Sequence, residues 1–202
     1  MNHFEKRKIQ EYFDSRKKQK VIAVWGLSSG CGVTYLSLVL AQYFQQVKGL
    51  RVAYLEMNLS NQITNLSRRN CGRGTYFTYY GTHCYAHASK EEMLMTMNSE
   101  YDVVILDLGT RGERLPKEFQ VCQVRLIVAH GAFWQVQRIE DWLEKQEENE
   151  ARNQRYLLPF AEKRTIQVLK KRFPYEFYGV PYQAEIEHLN PCMISTICNF
   201  IS

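Results

Sequence analysis

The residues best placed to do chemistry lie in two short stretches. The first is Gly26-Leu27-Ser28-Ser29-Gly30-Cys31-Gly32-Val33-Thr34-Tyr35, and the second is Tyr101-Asp102-Val103-Val104-Ile105-Leu106-Asp107. A Gly/Ser-rich turn between an apolar run and a helical pattern lets backbone N–H groups cradle phosphates at a helix N-terminus. Thr34 offers a hydroxyl to Mg²⁺, and Asp107 closes a second apolar run with a carboxylate that can hold the ion's outer shell. One working part is missing. The position directly before the threonine is where such a loop carries the lysine that reaches the β- and γ-phosphates. Here it is Val33. The spacing keeps the geometry of a phosphate cradle, and the composition removes its charge.

The elements that must position these residues follow from periodicity. Val21-Ile22-Ala23-Val24-Trp25 reads as a buried strand, and 34–47 as a helix with Leu36, Val39, Leu40, Tyr43, Phe44 and Val47 at helical spacing. Gly49 is placed to stop that helix, and residues 51–55 read as the next strand. A β-α-β opening puts both strands in one parallel sheet. Residues 59–89 are less regular. Further on, the pattern predicts a helix over 90–98, strands at 103–106 and 124–129, and a helix over 134–149. It then predicts a strand at 156–158, a helix over 161–173 stopped by Pro174, an edge strand over 175–180 and a closing helix over 193–201. Such alternation predicts an α/β class: a single-domain, three-layer α/β/α fold with a mostly parallel sheet. Residues 1–20 read as a separate basic helix or tail, and 21–202 as the domain.

In this order and spacing, residues 21–201 resemble the ParA/MinD family of deviant Walker A ATPases. The family loop has the form G-x-K-G-G-x-G-K-T-T, and Gly26, Gly30, Gly32 and Thr34 match it. The strand of the form Y-D-x-x-I-I-D is matched by Tyr101–Asp107, and Val180-Pro181-Tyr182 is similar to a late V-P turn. Three departures stand out. Ser28 takes the place of the signature lysine that reaches a dimer partner's nucleotide, and Val33 that of the Walker lysine. Glu56-Met57-Asn58 stands where the family has D-x-D, whose second acid positions the attacking water.

The resemblance implies ATP or ADP with Mg²⁺ on Ser28, Ser29, Gly30, Cys31, Gly32, Val33, Thr34 and Tyr35, with Thr34 and Asp107 on the metal side. The departures leave two readings open: weak nucleotide binding, or a structural turn that binds nothing. Losing one aimed electrostatic stabiliser lowers rates on the order of 10²–10³-fold, so turnover is expected to be weak or absent. The leading expectation is a positioning or assembly factor with a protein partner or a second copy of itself, similar to the TadZ/CpaE type. One alternative is an active ATPase that recruits a cation from Arg68, Arg69 or Arg73, which otherwise read as solvated loop charges.

A second alternative is a DNA- or membrane-surface module. The first 20 residues hold seven Lys/Arg and three Asp/Glu, +4 of the chain's +5. An electrostatic partner is therefore sought there first. The resemblance adds the stripe Lys163, Arg164, Lys170 and Lys171, since ParA relatives bind DNA through basic patches. The aromatic run Tyr76, Phe77, Tyr79, Tyr80 and Tyr85 reads as strand packing or an interface. His83, Cys84, His87 and Cys71 are metal-ligand types without the paired spacing of a zinc site. Six scattered cysteines and an N-terminus without an apolar core predict a reduced, cytoplasmic chain.

Overall fold

A computed structural model describes residues 19–67, 75–110, 114–146 and 154–201. Residues 1–18, with most of the basic N-terminal segment, lie outside the described residues, as do Arg68, Arg69, Cys71 and Arg73. The elements, in chain order, begin with β1 (Lys20–Gly26), α1 (Val33–Gln42, prolonged by a π-turn over Tyr43–Val47), β2 (Val52–Glu56) and the short α2 (Thr64–Ser67). Next come β3 (Phe77–Tyr79), β4 (Thr82–Tyr85), α3 (Lys90–Met97), β5 (Val103–Asp107), α4 (Lys117–Gln120) and β6 (Val124–Val128). The chain continues through α5 (Val136–Leu143), β7 (Arg155–Pro159), α6 (Lys163–Arg172), β8 (Glu176–Val180) and α7 (Pro191–Ile201).

The eight strands form one sheet in the order β3-β4-β2-β5-β1-β6-β7-β8. Every pairing is parallel except β3 with β4. The central strands are apolar along their middles because both of their faces are covered, with Glu56 and Asp107 at the ends of β2 and β5. Ile22, Val24 and Ile105 turn toward a cluster with Leu36, Val39 and Leu40 of α1 and Met193, Ile197 and Phe200 of α7. Ala23, Trp25, Val104 and Leu106 turn the other way, onto Met93 of α3, Ile139 and Leu143 of α5 and Leu169 of α6. Period-two alternation along each strand thus builds two cores, one on each side of the sheet.

The chain differs from the sequence expectation in one region. Residues 76–85, inside the stretch that shows no regular pattern, form a hairpin. Its turn, Tyr80-Gly81, has φ of 43° and 82°, the left-handed pair that matches the twist of a two-residue hairpin. Phe77 and Cys84 face the core, while Tyr76 and Tyr80 are exposed. The aromatic run is therefore partly strand packing and partly surface. Helix α5 is shorter than the predicted 134–149: a 3₁₀ turn over Phe133–Gln135 precedes it, and residues 147–150 are not described. The closing helix is core packing, with Met193, Ile197, Phe200 and Ile201 buried. Helix α3 starts on a reciprocal cap, in which Ser89 Oγ accepts from the Glu92 N–H and the Glu92 carboxylate accepts from the Ser89 N–H.

Candidate functional site

Register sets the site. Asp107 pairs with Val24 on one side and Glu56 on the other, so the C-terminal ends of β1, β2 and β5 meet below the loop. Helix α1 leaves β1 on one face of the sheet and α5 follows β6 on the other. The crevice at such a reversal is where open α/β sheets bind ligands.

The loop leaves β1 tied to its neighbours: the Gly26 N–H donates to the Gly109 carbonyl at 2.9 Å and the Leu27 N–H to the Val128 carbonyl at 3.0 Å. Gly30 and Gly32 have φ of 76° and 103°, values that favour glycine. Gly32 is the residue before α1, and no side chain caps the helix N-terminus. The first-turn N–H groups therefore keep their donor capacity for a ligand.

Ser29, Gly30, Cys31, Gly32, Val33, Thr34 and Tyr35 line a cleft of about 390 Å³ together with Asn58, Leu59, Ser60, Gln62, Gly109 and Thr110. That volume lies in the range of small-molecule sites. Ser28 is not in the lining; its carbonyl accepts the Cys31 N–H at 3.3 Å. No lysine or arginine lines the cleft among the described residues.

Val33 is 5% exposed and belongs to the core under the loop. The Cys31 thiol is also turned in, against the Val128 carbonyl at 3.4 Å, and burial pushes its pKa up. Tyr35 reaches sideways: its hydroxyl donates to the Gln183 carbonyl at 2.8 Å and accepts the Gln183 N–H at 3.0 Å.

Asp107 is fully buried and collects four donors. Its Oδ2 accepts from the Thr34 hydroxyl at 2.6 Å and the Tyr54 hydroxyl at 2.7 Å. Its Oδ1 accepts from the Asn58 amide at 2.8 Å and the Gly109 N–H at 3.0 Å. Burial holds the carboxyl above its ordinary range, and the bonds from Thr34 and Tyr54 oppose that shift. Thr34 donates its only proton to Asp107, which leaves the hydroxyl's lone pairs for a cation. This donor set fits Mg²⁺ on Thr34 with Asp107 behind it.

Asn58, which stands where the resemblance places an acid, is spent on Asp107. Glu56 is spent on the next loop: its Oε1 accepts from the Ser60 hydroxyl and from the Gln62 and Ile63 N–H groups, and its Oε2 is buried without a partner. Sequence reasoning missed Tyr54. Its signal was present, since Tyr54 lies two residues before Glu56 on the same strand face.

Also unforeseen is an aromatic row beside the loop. Tyr35 stacks on Tyr182, Tyr182 on Phe160 and Phe160 on His130, with centroids 6.1, 6.2 and 5.0 Å apart. Trp134 and Phe133 continue it. Four of these rings, Phe133, Trp134, Phe160 and Tyr182, are between 56% and 72% exposed.

The remaining candidates do not converge. Cys84 points into the core with its pKa pushed up to about 12 by burial, while His83 is half-buried on the other face of β4, with a ring nitrogen 2.6 Å from the Tyr101 hydroxyl. Among the described residues no group of three His, Cys, Asp or Glu is arranged to hold a metal. Lys163, Arg164, Lys170 and Lys171 are exposed on α6, and Lys170 Nζ lies over the Tyr178 ring at 5.7 Å. No described helix is long and apolar enough to cross a membrane.

No family model and no curated protein sequence matches the chain. Solved structures do. The putative plasmid partition protein of Borrelia burgdorferi B31, bound to AMPPNP, matches with a TM-score of 0.60 at 14% identity, over 92% of this chain and 97% of that one. The MinC:MinD cell division complex of Aquifex aeolicus matches with a TM-score of 0.57 at 16% identity, over 82% of each chain. A ParA family ATPase of Chlorobium tepidum TLS matches with a TM-score of 0.57 at 13% identity, over 83% of this chain and 85% of that one. Identities this low speak for architecture alone. The chain has the ParA/MinD-like P-loop fold.

Proposed function

We propose that the protein is a degenerate ParA/MinD-like factor that binds nucleotide weakly and does not turn it over efficiently. It works by positioning or assembling a protein partner, in the manner of the TadZ/CpaE type. The observation that carries this reading is the Thr34–Asp107 pair beneath a cleft with no described cation. The metal-side residues and the backbone cradle persist, while the groups that stabilise charge on the γ-phosphate do not. Thr34 and Asp107 would hold Mg²⁺ with ATP or ADP on the loop, and the bound ion would supply the positive charge that the side chains lack.

The exposed aromatic row supports a partner face. Contiguous apolar surface of this kind marks interaction sites more often than solvent, and the row adjoins the loop through Tyr35. A second copy of the chain is the first partner to test. The similar Aquifex structure is a MinC:MinD complex, in which the fold meets a different protein.

Thermal unfolding with and without Mg-ATP, read beside phosphate release, tests the proposal. A ligand at 100 times its Kd adds about 2.7 kcal/mol. The expected result is a stabilising shift with phosphate release at background. Absence of a shift at millimolar Mg-ATP would remove nucleotide from the account, and brisk release would make the protein an enzyme.

A further inference from the structure

On the sheet face opposite α1 lies a second and larger cleft, of about 590 Å³. Among the described residues its wall includes Trp25, Leu27, Arg114, Arg138, Asp141, Trp142 and Lys145. Trp25 sits at the end of β1 and Trp142 on α5, with their rings 5.0 Å apart. Arg138, Asp141, Lys145 and Gln146 stand on or just past α5, and Arg114 enters from the segment before α4. None of these residues except Leu27 belongs to the loop.

Charge sets this cleft apart. Elsewhere on the described surface, several cations are held by carboxylates. Arg51 bonds Glu100 at 2.9 Å, Lys90 bonds Glu118 at 2.8 Å, and Arg172 bonds Glu140 at 2.7 Å and Glu144 at 2.6 Å. Arg114, Arg138 and Lys145 make no ion pair among the described residues. Among the described residues of the wall the one carboxylate, Asp141, accepts a bond from the Gln137 amide at 2.8 Å. Among its described residues, three cations and one acid leave an excess of two positive charges around a concave, aromatic-walled space. Such concavity focuses field on an anion, and guanidinium groups match phosphate and carboxylate oxygens two at a time.

Beneath the cations the cleft has an aromatic floor. Trp25 is 1% exposed and closes that floor, with its indole N–H out of reach of any group in the cleft. Trp142, tilted against it at 5.0 Å and only half-buried, supplies apolar surface for a ring.

We propose that this cleft is a second binding site, for a small organic anion that joins a phosphate or carboxylate to an aromatic body. Arg114, Arg138 and Lys145 take the acid group, and Trp142, backed by the buried Trp25, contacts the body. The site does not depend on whether the loop holds nucleotide.

The test uses the full chain carrying Trp134→Phe, so that tryptophan fluorescence reports the two cleft indoles. Phenyl phosphate and benzoate separate the two acid classes, and phenol is the uncharged control. The expected result is a saturable fluorescence change with one or both acids, weakened by salt, with no saturation by phenol. The exposed double variant Arg138→Gln/Lys145→Gln is expected to weaken it by about tenfold or more. Cooperative thermal unfolding of that variant shows that it has folded. The proposal is overturned if the folded parent gives no saturable response at millimolar acid, if phenol binds equally well, or if the double variant binds as tightly as the parent. Binding of an acidic peptide with no response to either small acid also overturns it.

Discussion

Val33 and Gly26 pack against each other across the base of the loop. A methyl group built on Gly26 would sit 2.5 Å from Val33 Cγ2, 2.6 Å from Cys31 Sγ and 2.8 Å from Thr110 Cγ2. The valine is thus turned into the space below the loop and helps fix its floor. Val33 therefore differs from a lysine in more than charge, because its side chain takes part in packing.

Gly26→Ala tests that contact. Val33 and Thr110 are β-branched and cannot swing clear cheaply. Overpacking of this kind costs about 1–3 kcal/mol. Denaturant unfolding should show a lower midpoint with an unchanged slope.

Val33→Lys puts an ammonium where the valine packs. Without ligand the variant is expected to lose about 1–3 kcal/mol from lost packing and from an unpaired, partly desolvated charge. Mg-ATP should restore much of that loss and bind more tightly than to the parent, since the new cation then meets phosphate. Calorimetric titration checks the affinity. Equal affinity for parent and variant would mean that the cradle does not present phosphates to position 33.

Asp107 predicts a pH dependence. Burial raises its folded pKa above the unfolded value. Folding therefore favours the protonated form, and the stability from this group is fully present below about pH 4. It is lost as pH rises through the raised folded value. Asp107→Asn removes this titration, so the variant's stability should fall less than the parent's between about pH 4 and pH 7. Chemical denaturation at several pH values measures the difference.

Phe160 combines exposure with a left-handed backbone, φ 62°, a conformation that costs a non-glycine residue about 1–2 kcal/mol. Phe160→Gly should leave stability unchanged or raise it by up to about 1 kcal/mol. If the aromatic row is a partner face, the same variant should self-associate less in sedimentation velocity. Unchanged association would remove Phe160 from that face.

The legible parts of the chain were those fixed by local pattern. Val21–Trp25 and Val103–Asp107 read as strands because burial on both faces makes them continuously apolar. The Thr34–Asp107 meeting followed from loop spacing and the end of a strand. The hairpin over 76–85 was not legible. Its strands are three and four residues long, and its turn puts Tyr80, a residue that resists positive φ, before Gly81. The aromatic row and the cationic cleft were hidden for another reason. Tyr35, Phe160 and Tyr182 are far apart in sequence, as are Trp25, Arg114 and Arg138, and only the strand order brings each set together. Asn58 was read as a missing acid; its amide bond to Asp107 became visible only with the sheet register.

What Mg-ATP does to this protein separates a nucleotide-binding factor from an ATPase most directly. Stability and released phosphate should be followed in one sample of the full chain. The account predicts a stabilising shift at millimolar Mg-ATP, with release at least about 10²–10³-fold below a lysine-bearing loop. Sustained release at about 1 s⁻¹ or faster, abolished by replacing Arg68, Arg69 and Arg73, would contradict it and make the protein an ATPase with a borrowed cation.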